Sequence, residues 1–94
     1  MAKEIQDVVI VSACRTPIAK FLGSLKDIQA IDLAVTVAKE AIKRAGISPD
    51  IVQEIVMGEV YPHMQGSLPA RQVGMKAGLP VTSNACNVNQ NCAS

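Results

Sequence analysis

Aromatic side chains are almost missing from these 94 residues: there is no Trp, one Tyr (Tyr61) and one Phe (Phe21). A surface that stacks bases needs several such rings. Nine basic and eight acidic residues are interspersed, the net charge is +1, and no basic block occurs. Together these features exclude nucleic acid as an expected partner. Long apolar runs are missing as well. Near the start the longest is residues 8–11, VVIV. A membrane span needs about 20 apolar residues and a secretory h-region about 7–15. The expectation is therefore a cytoplasmic protein with no membrane partner. Histidine is limited to His63, and the three cysteines, Cys14, Cys86 and Cys92, include no Cys-x-x-Cys pair. Cys86 and Cys92 are six apart, outside the two-to-four spacing of zinc sites, so no metal site is expected. An odd number of cysteines without a framework spacing reads as reduced thiols.

What the chain does have is aliphatic mass: 49% of its residues are hydrophobic, mainly Ala, Val, Ile and Leu. Such residues pack thinly between layers of an α/β protein. The run at 8–11 predicts a first strand over 5–12, covered on both faces. Residues 13–25, ACRTPIAKFLGSL, read as a loop, with Thr16-Pro17 extended and Gly23 in a turn. A helix is predicted over 26–45, with Ile31, Ala34, Val35, Ala38, Ala41, Ile42 and Ala45 on one face. Ser24 and Asp27 have capping-box spacing, and Asp27 is an alternative cap. Gly46 ends this helix, and Ser48-Pro49-Asp50 opens a further short turn.

A second strand is predicted over 54–60, then a loop over 61–68 that contains His63. A short helix follows over 69–78, starting at Pro69 and ending at Gly78, with Ala70, Val73, Gly74 and Ala77 as a small-residue face. The last strand holds residues 84–88. Strand, helix, strand, helix, strand in that order implies parallel pairing with right-handed crossovers. There is no repeat and no internal boundary, so residues 1–94 form one partial domain.

Residues 83–94, SNACNVNQNCAS, carry the chemistry. A β-prone run with Cys86 and Val88 leads into the polar tetrad Asn89, Gln90, Asn91 and Cys92. Small residues, Ala93 and Ser94, follow. A polar turn ending in Cys and small residues suits a strand-to-helix elbow that raises a thiol at the end of a sheet. A thiolate is the nucleophilic form of Cys, and a helix N-terminus or an adjacent His favours it. Cys92 is therefore the candidate nucleophile. Cys14 and Cys86 are assigned to packing as small buried hydrophobes. Lys20, Arg71 and Lys76 are assigned to solvated or dimer-stabilising positions rather than to phosphate contacts, and His63 to an ordinary loop.

Four stretches, taken together, resemble the amino-terminal part of a thiolase of the acetyl-CoA acetyltransferase type. They are the first strand running into Cys14-Arg15-Thr16-Pro17; Phe21-Leu22-Gly23-Ser24-Leu25; Pro69-Ala70-Arg71-Gln72 with Lys76-Ala77-Gly78-Leu79-Pro80; and Val88-Asn89 with Cys92-Ala93-Ser94. The resemblance implies a layered αβαβα fold of which this chain is the first β-α-β-α-β part, ending at the nucleophile elbow. It implies that Cys92 accepts an acyl group, that its backbone N–H joins an oxyanion hole, and that Asn89 beside it is an orienting residue. Coenzyme A thioesters would be the substrates, with no permanently bound cofactor. The partners would be the remainder of the thiolase chain, which supplies two His and a second Cys, and further copies in a homodimer or homotetramer. The strand at 84–88 would lie near the two-fold axis.

Three positions depart from the family pattern: Ala19 where Gly is usual, Asn87 where Thr is common, and Asn91 where an apolar residue is common. They bear on subclass and substrate rather than on the nucleophile. A ketoacyl synthase or hydroxymethylglutaryl-CoA synthase relative, and a non-catalytic truncated assembly partner, are the competing readings. The segment by itself is expected to be inactive.

Overall fold

The first helix forms where the aliphatic spacing is regular. In the computed structural model, which describes residues 4–61 and 66–94, helix α1 spans Ala30–Ala45. Ile31 is buried and Ala34, Val35, Ala38, Ala41, Ile42 and Ala45 are half-buried, as the 3.6-residue pattern requires. Asp32 in the first turn and Lys43 and Arg44 in the last complement the helix dipole. Arg44 pairs with Glu40 at 2.8 Å on the exposed side. Gly46 closes the helix in the left-handed region (φ 69°), its N–H donating to the Lys43 carbonyl.

The helix begins four residues later than its sequence pattern predicts. Residues 20–28 fold instead as successive tight turns: the Gly23 N–H donates to the Lys20 carbonyl, the Lys26 N–H to Gly23 and the Ile28 N–H to Leu25. Gly23 permits this, because a Cβ there would meet the Lys20 carbonyl oxygen at 2.7 Å. The capping box of Ser24 and Asp27 does not form. The N-cap is Gln29, which gives no side-chain cap.

Ser48 caps a short 3₁₀ turn, Pro49–Ile51, by accepting from the Asp50 N–H at 3.3 Å. Strand β1 follows at Glu54–Gly58. Helix α2 is Pro69–Ala77, with Gly78 left-handed (φ 95°) at its end. Strand β2 is Asn84–Val88. The strands pair parallel, from Glu54 opposite Asn84 to Gly58 opposite Val88. β1 stops two residues before its predicted end, although the Glu59 N–H still donates to the Val88 carbonyl at 3.0 Å.

α2 is the centre of the core. Pro69, Ala70, Val73, Gly74 and Ala77 are buried, and the helix packs against both strands and against α1. Small side chains make this approach possible: a Cβ at Gly74 would lie 3.4 Å from Ile55 Cγ2. Leu79 and Ile31 complete the buried aliphatic set.

The predicted first strand is not a strand in the structure. Residues 5–12 form no ladder. Ile5 and Val8 are 97% exposed and Val11 67%. A β-branched run favours a doubly covered strand, but a strand exists only when a neighbour takes its backbone N–H and C=O groups. The two-stranded sheet gives it none. The far end of this stretch is tethered, since the Cys14 thiol donates to the Val37 carbonyl of α1 at 3.4 Å. Among the described residues, no helix is long and apolar enough to cross a membrane.

Candidate active site at the end of strand β2

Beyond Val88 the backbone leaves the sheet and folds back in two tight turns. Asn89 holds the first. Its amide nitrogen donates to the Val60 carbonyl at 3.1 Å, and its side-chain oxygen accepts the Asn91 N–H at 3.1 Å. That second bond is an Asx turn, in which a side chain stands in for a backbone carbonyl. Asn91 lies in the left-handed region at φ 52°, which Asn tolerates better than most residues with a Cβ. The Ala93 N–H then donates to the Gln90 carbonyl at 3.1 Å and the Ser94 N–H to Asn91 at 3.0 Å. Ser94 Oγ accepts the Gln90 N–H at 2.5 Å. Cys92 sits at the crest of these turns and is exposed.

Gly58 makes room for the turn. The Ser94 backbone lies against Gly58 in the space that a Cβ would take. The strand pairing thus ends at a residue that only Gly can supply without displacing the turn. Sequence reading passed over Gly58, although a Gly inside an apolar strand is a sign of close backbone approach.

Asn87 has a second structural task. Its side-chain oxygen accepts the Ala70 N–H at 3.0 Å. Leu68, the N-cap of α2, offers no side-chain acceptor. Asn87 therefore caps α2 from the neighbouring strand. Next to it is an open pocket of about 170 Å³, walled by Glu59, Ser67, Asn87 and Asn89.

Arg71 is engaged within the chain. Its guanidinium donates to the Ser83 carbonyl at 2.9 Å and to the Val81 carbonyl at 3.0 Å, clamping α2 to the turn that enters β2. This internal clamp suits Arg, because a planar fork fits two neighbouring carbonyls, and its contact to Val81 stays exposed. Lys20 and Lys76 are exposed. Cys14 and Cys86 are half-buried, and Cys86 lies opposite Val56 within the sheet. His63 lies outside the described residues. Among those described, no group of three or more His, Cys, Asp or Glu could hold a metal ion.

The family model for the thiolase N-terminal domain matches residues 8–94. The chain belongs to the thiolase family. Its sequence is 49% identical over 88 residues to an acetyl-CoA acetyltransferase of Cupriavidus necator, covering 94% of this chain and 22% of that protein. It is 45% identical over 89 residues to an acetyl-CoA acetyltransferase of Clostridioides difficile, covering 95% of this chain and 83% of that one. The structure superposes with a TM-score of 0.92 on a thiolase of Ascaris suum in complex with coenzyme A, at 38% identity, covering 95% of this chain and 23% of that one. The chain thus spans about a fifth of the length of the Cupriavidus relative. The layered α/β thiolase fold expected from the sequence is the fold observed, represented here by a β-α-β unit and a helix packed on it.

Proposed function

We propose that the segment is the nucleophile-bearing part of an acyl-CoA acyltransferase that forms or cleaves 3-ketoacyl-CoA, with Cys92 as the nucleophile. The observation that carries this reading is the exposed Cys92 thiol on a turn braced by Asn89 at the end of a parallel strand. Exposure lets a thioester approach, and bracing fixes the sulfur's direction of attack.

The Cys92 thiolate attacks the thioester carbonyl carbon. A carbon–sulfur bond to Cys92 forms, the bond to the coenzyme A sulfur breaks, and coenzyme A leaves as its thiolate and takes up a proton. Exchange of one thioester for another changes bond energy little, and Cys is intrinsically nucleophilic. The α-carbon of a second acyl-CoA, having lost a proton to a base, then attacks the acyl-Cys92 carbonyl. A carbon–carbon bond forms and the Cys92 thiolate departs. In the cleavage direction, coenzyme A thiol takes the acyl group from Cys92. The Cys92 backbone N–H is assigned to the oxyanion that develops on the carbonyl oxygen.

Exposed aliphatic surface at residues 5–11 supports assembly with the remainder of a thiolase chain and with a second copy. The base and further site residues are assigned to that remainder, so the 94-residue segment alone is expected to be inactive. The test joins labelling to turnover. Iodoacetamide with peptide mapping should label Cys92 ahead of Cys14 and Cys86. Cys92→Ser in the intact protein should lower acetoacetyl-CoA thiolysis by about three orders of magnitude or more. Activity close to the parent in that variant would end the assignment.

A further inference from the structure

Helix α2 starts without a cap of its own. Its first residue, Pro69, has no N–H. The Arg71 and Gln72 amides donate back to the Leu68 carbonyl at 3.0 and 3.4 Å. The Ala70 amide is served from elsewhere, by Asn87 Oδ1 at 3.0 Å, across 17 residues. Such an amide is one of the orphan donors of a helix start. Asn87 is therefore a cap supplied by another element.

Asn87 also stands two residues before Asn89, and both wall the same pocket. Asn89 in turn holds the Val60 carbonyl and the Asn91 N–H. One strand end thus makes two successive side-chain attachments: Asn87 to the buried helix, then Asn89 to the loop after β1. The first anchors the strand to the most buried element of the chain. The second passes that anchoring to the turn that carries Cys92.

We infer that Asn87 is a positioning residue, which fixes the Cys92 turn by tying the end of β2 to the N-terminus of α2. The inference rests on the reading of Cys92 as nucleophile. Asn87 touches no reacting atom. It acts through Asn89 and the backbone between them. An acceptor oxygen is the necessary part of its side chain, so Asp can replace it, and an anion is favourable at a helix N-terminus.

The experiment measures the rate of iodoacetamide modification at Cys92 in the intact protein, resolved by peptide mapping, together with kcat and KM for thiolysis. Asn87→Ala should slow Cys92 labelling at least about 5-fold and lower kcat with little change in KM, as expected for loss of alignment. Asn87→Asp should restore both to within about 2-fold. Arg71→Lys loosens the same first turn of α2 where it ties to the start of β2 rather than to its end, and serves as the stability control, leaving Cys92 labelling within about 2-fold. Unchanged labelling in Asn87→Ala, or equal slowing in Arg71→Lys, overturns the inference while Cys92 keeps its role. Faster labelling of Cys14 or Cys86 than of Cys92 in the parent protein overturns the nucleophile reading and this inference with it.

A measurement without mutation covers the case in which Asn87→Ala does not fold. Coupling between two sites is reciprocal. Alkylating Cys92 should change amide exchange at Ala70 by more than about 2-fold, and an unchanged Ala70 amide overturns the inference.

Discussion

At the scale of single residues, the turn that presents Cys92 depends on groups that do no chemistry. Gly58 is the clearest. Adding one methyl group there places it in the Ser94 backbone, and backbone cannot yield as a flexible side-chain end can. Overpacking of this kind costs about 1–3 kcal/mol. Gly58→Ala should therefore lower the urea midpoint of the intact protein and reduce thiolysis at least about tenfold by shifting the turn. Parallel urea melts and turnover measurements check both. A variant with parent-like turnover would show that the turn does not need its contact with β1.

The turn at residues 89–94 was legible in the sequence, because a polar tetrad after a β-prone run, followed by small residues, signals a turn. Gly58 and the capping action of Asn87 were not legible. Each depends on a contact between segments far apart in sequence, Gly58 with Ser94 and Asn87 with Ala70. No local pattern encodes such a pairing.

At the scale of elements, the first turn of α2 is fastened to both ends of β2. Asn87 holds its start and Arg71 ties it to the turn that enters β2. Lys in place of Arg71 keeps the charge but loses the planar fork that meets two carbonyls at once. Hydrogen bonds from charged groups are worth about 1.5–3 kcal/mol, less where they are exposed. The Val81 contact is exposed and the Ser83 contact part-buried, so Arg71→Lys should cost about 1–2 kcal/mol. Thermal or urea unfolding of the variant beside the parent measures it, and unchanged stability would mean the clamp contributes nothing net.

The helices and the two paired strands were readable to within a few residues, because their periodicity, the glycines at their ends and Pro69 agree with one another. The start of α1 was misplaced for a definite reason. Gly23 lets residues 20–28 close local turns that bond the Gly23, Lys26 and Ile28 amides before the helix begins, and the Ser24–Asp27 spacing could not compete with them. The stretch at 5–12 carries the composition of a strand, but pairing is a property of two segments, and composition describes only one.

At the scale of the whole molecule, the described chain is elongated, with extents of 57 × 28 × 25 Å. Its most apolar stretch is also among its most exposed, since Val8, Val9, Ile10 and Val11 are 67–97% open to solvent. In the intact protein these amides should be protected from hydrogen exchange by at least about a hundredfold relative to the isolated 94-residue segment. Exchange followed by mass spectrometry on both samples makes the comparison. Equal, fast exchange in the two would mean that nothing covers this stretch.

That bare run also has a consequence during synthesis. Ribosomes add about 5–20 residues per second, so VVIV stays bare until whatever segment covers it has been made. A short, uncharged, β-branched segment is the kind that seeds aggregation in such an interval. Glu4 and Asp7, both exposed just ahead of it, place negative charge where a second nascent chain would have to align. Charge flanking a β-branched run in this way disfavours its alignment with a second copy.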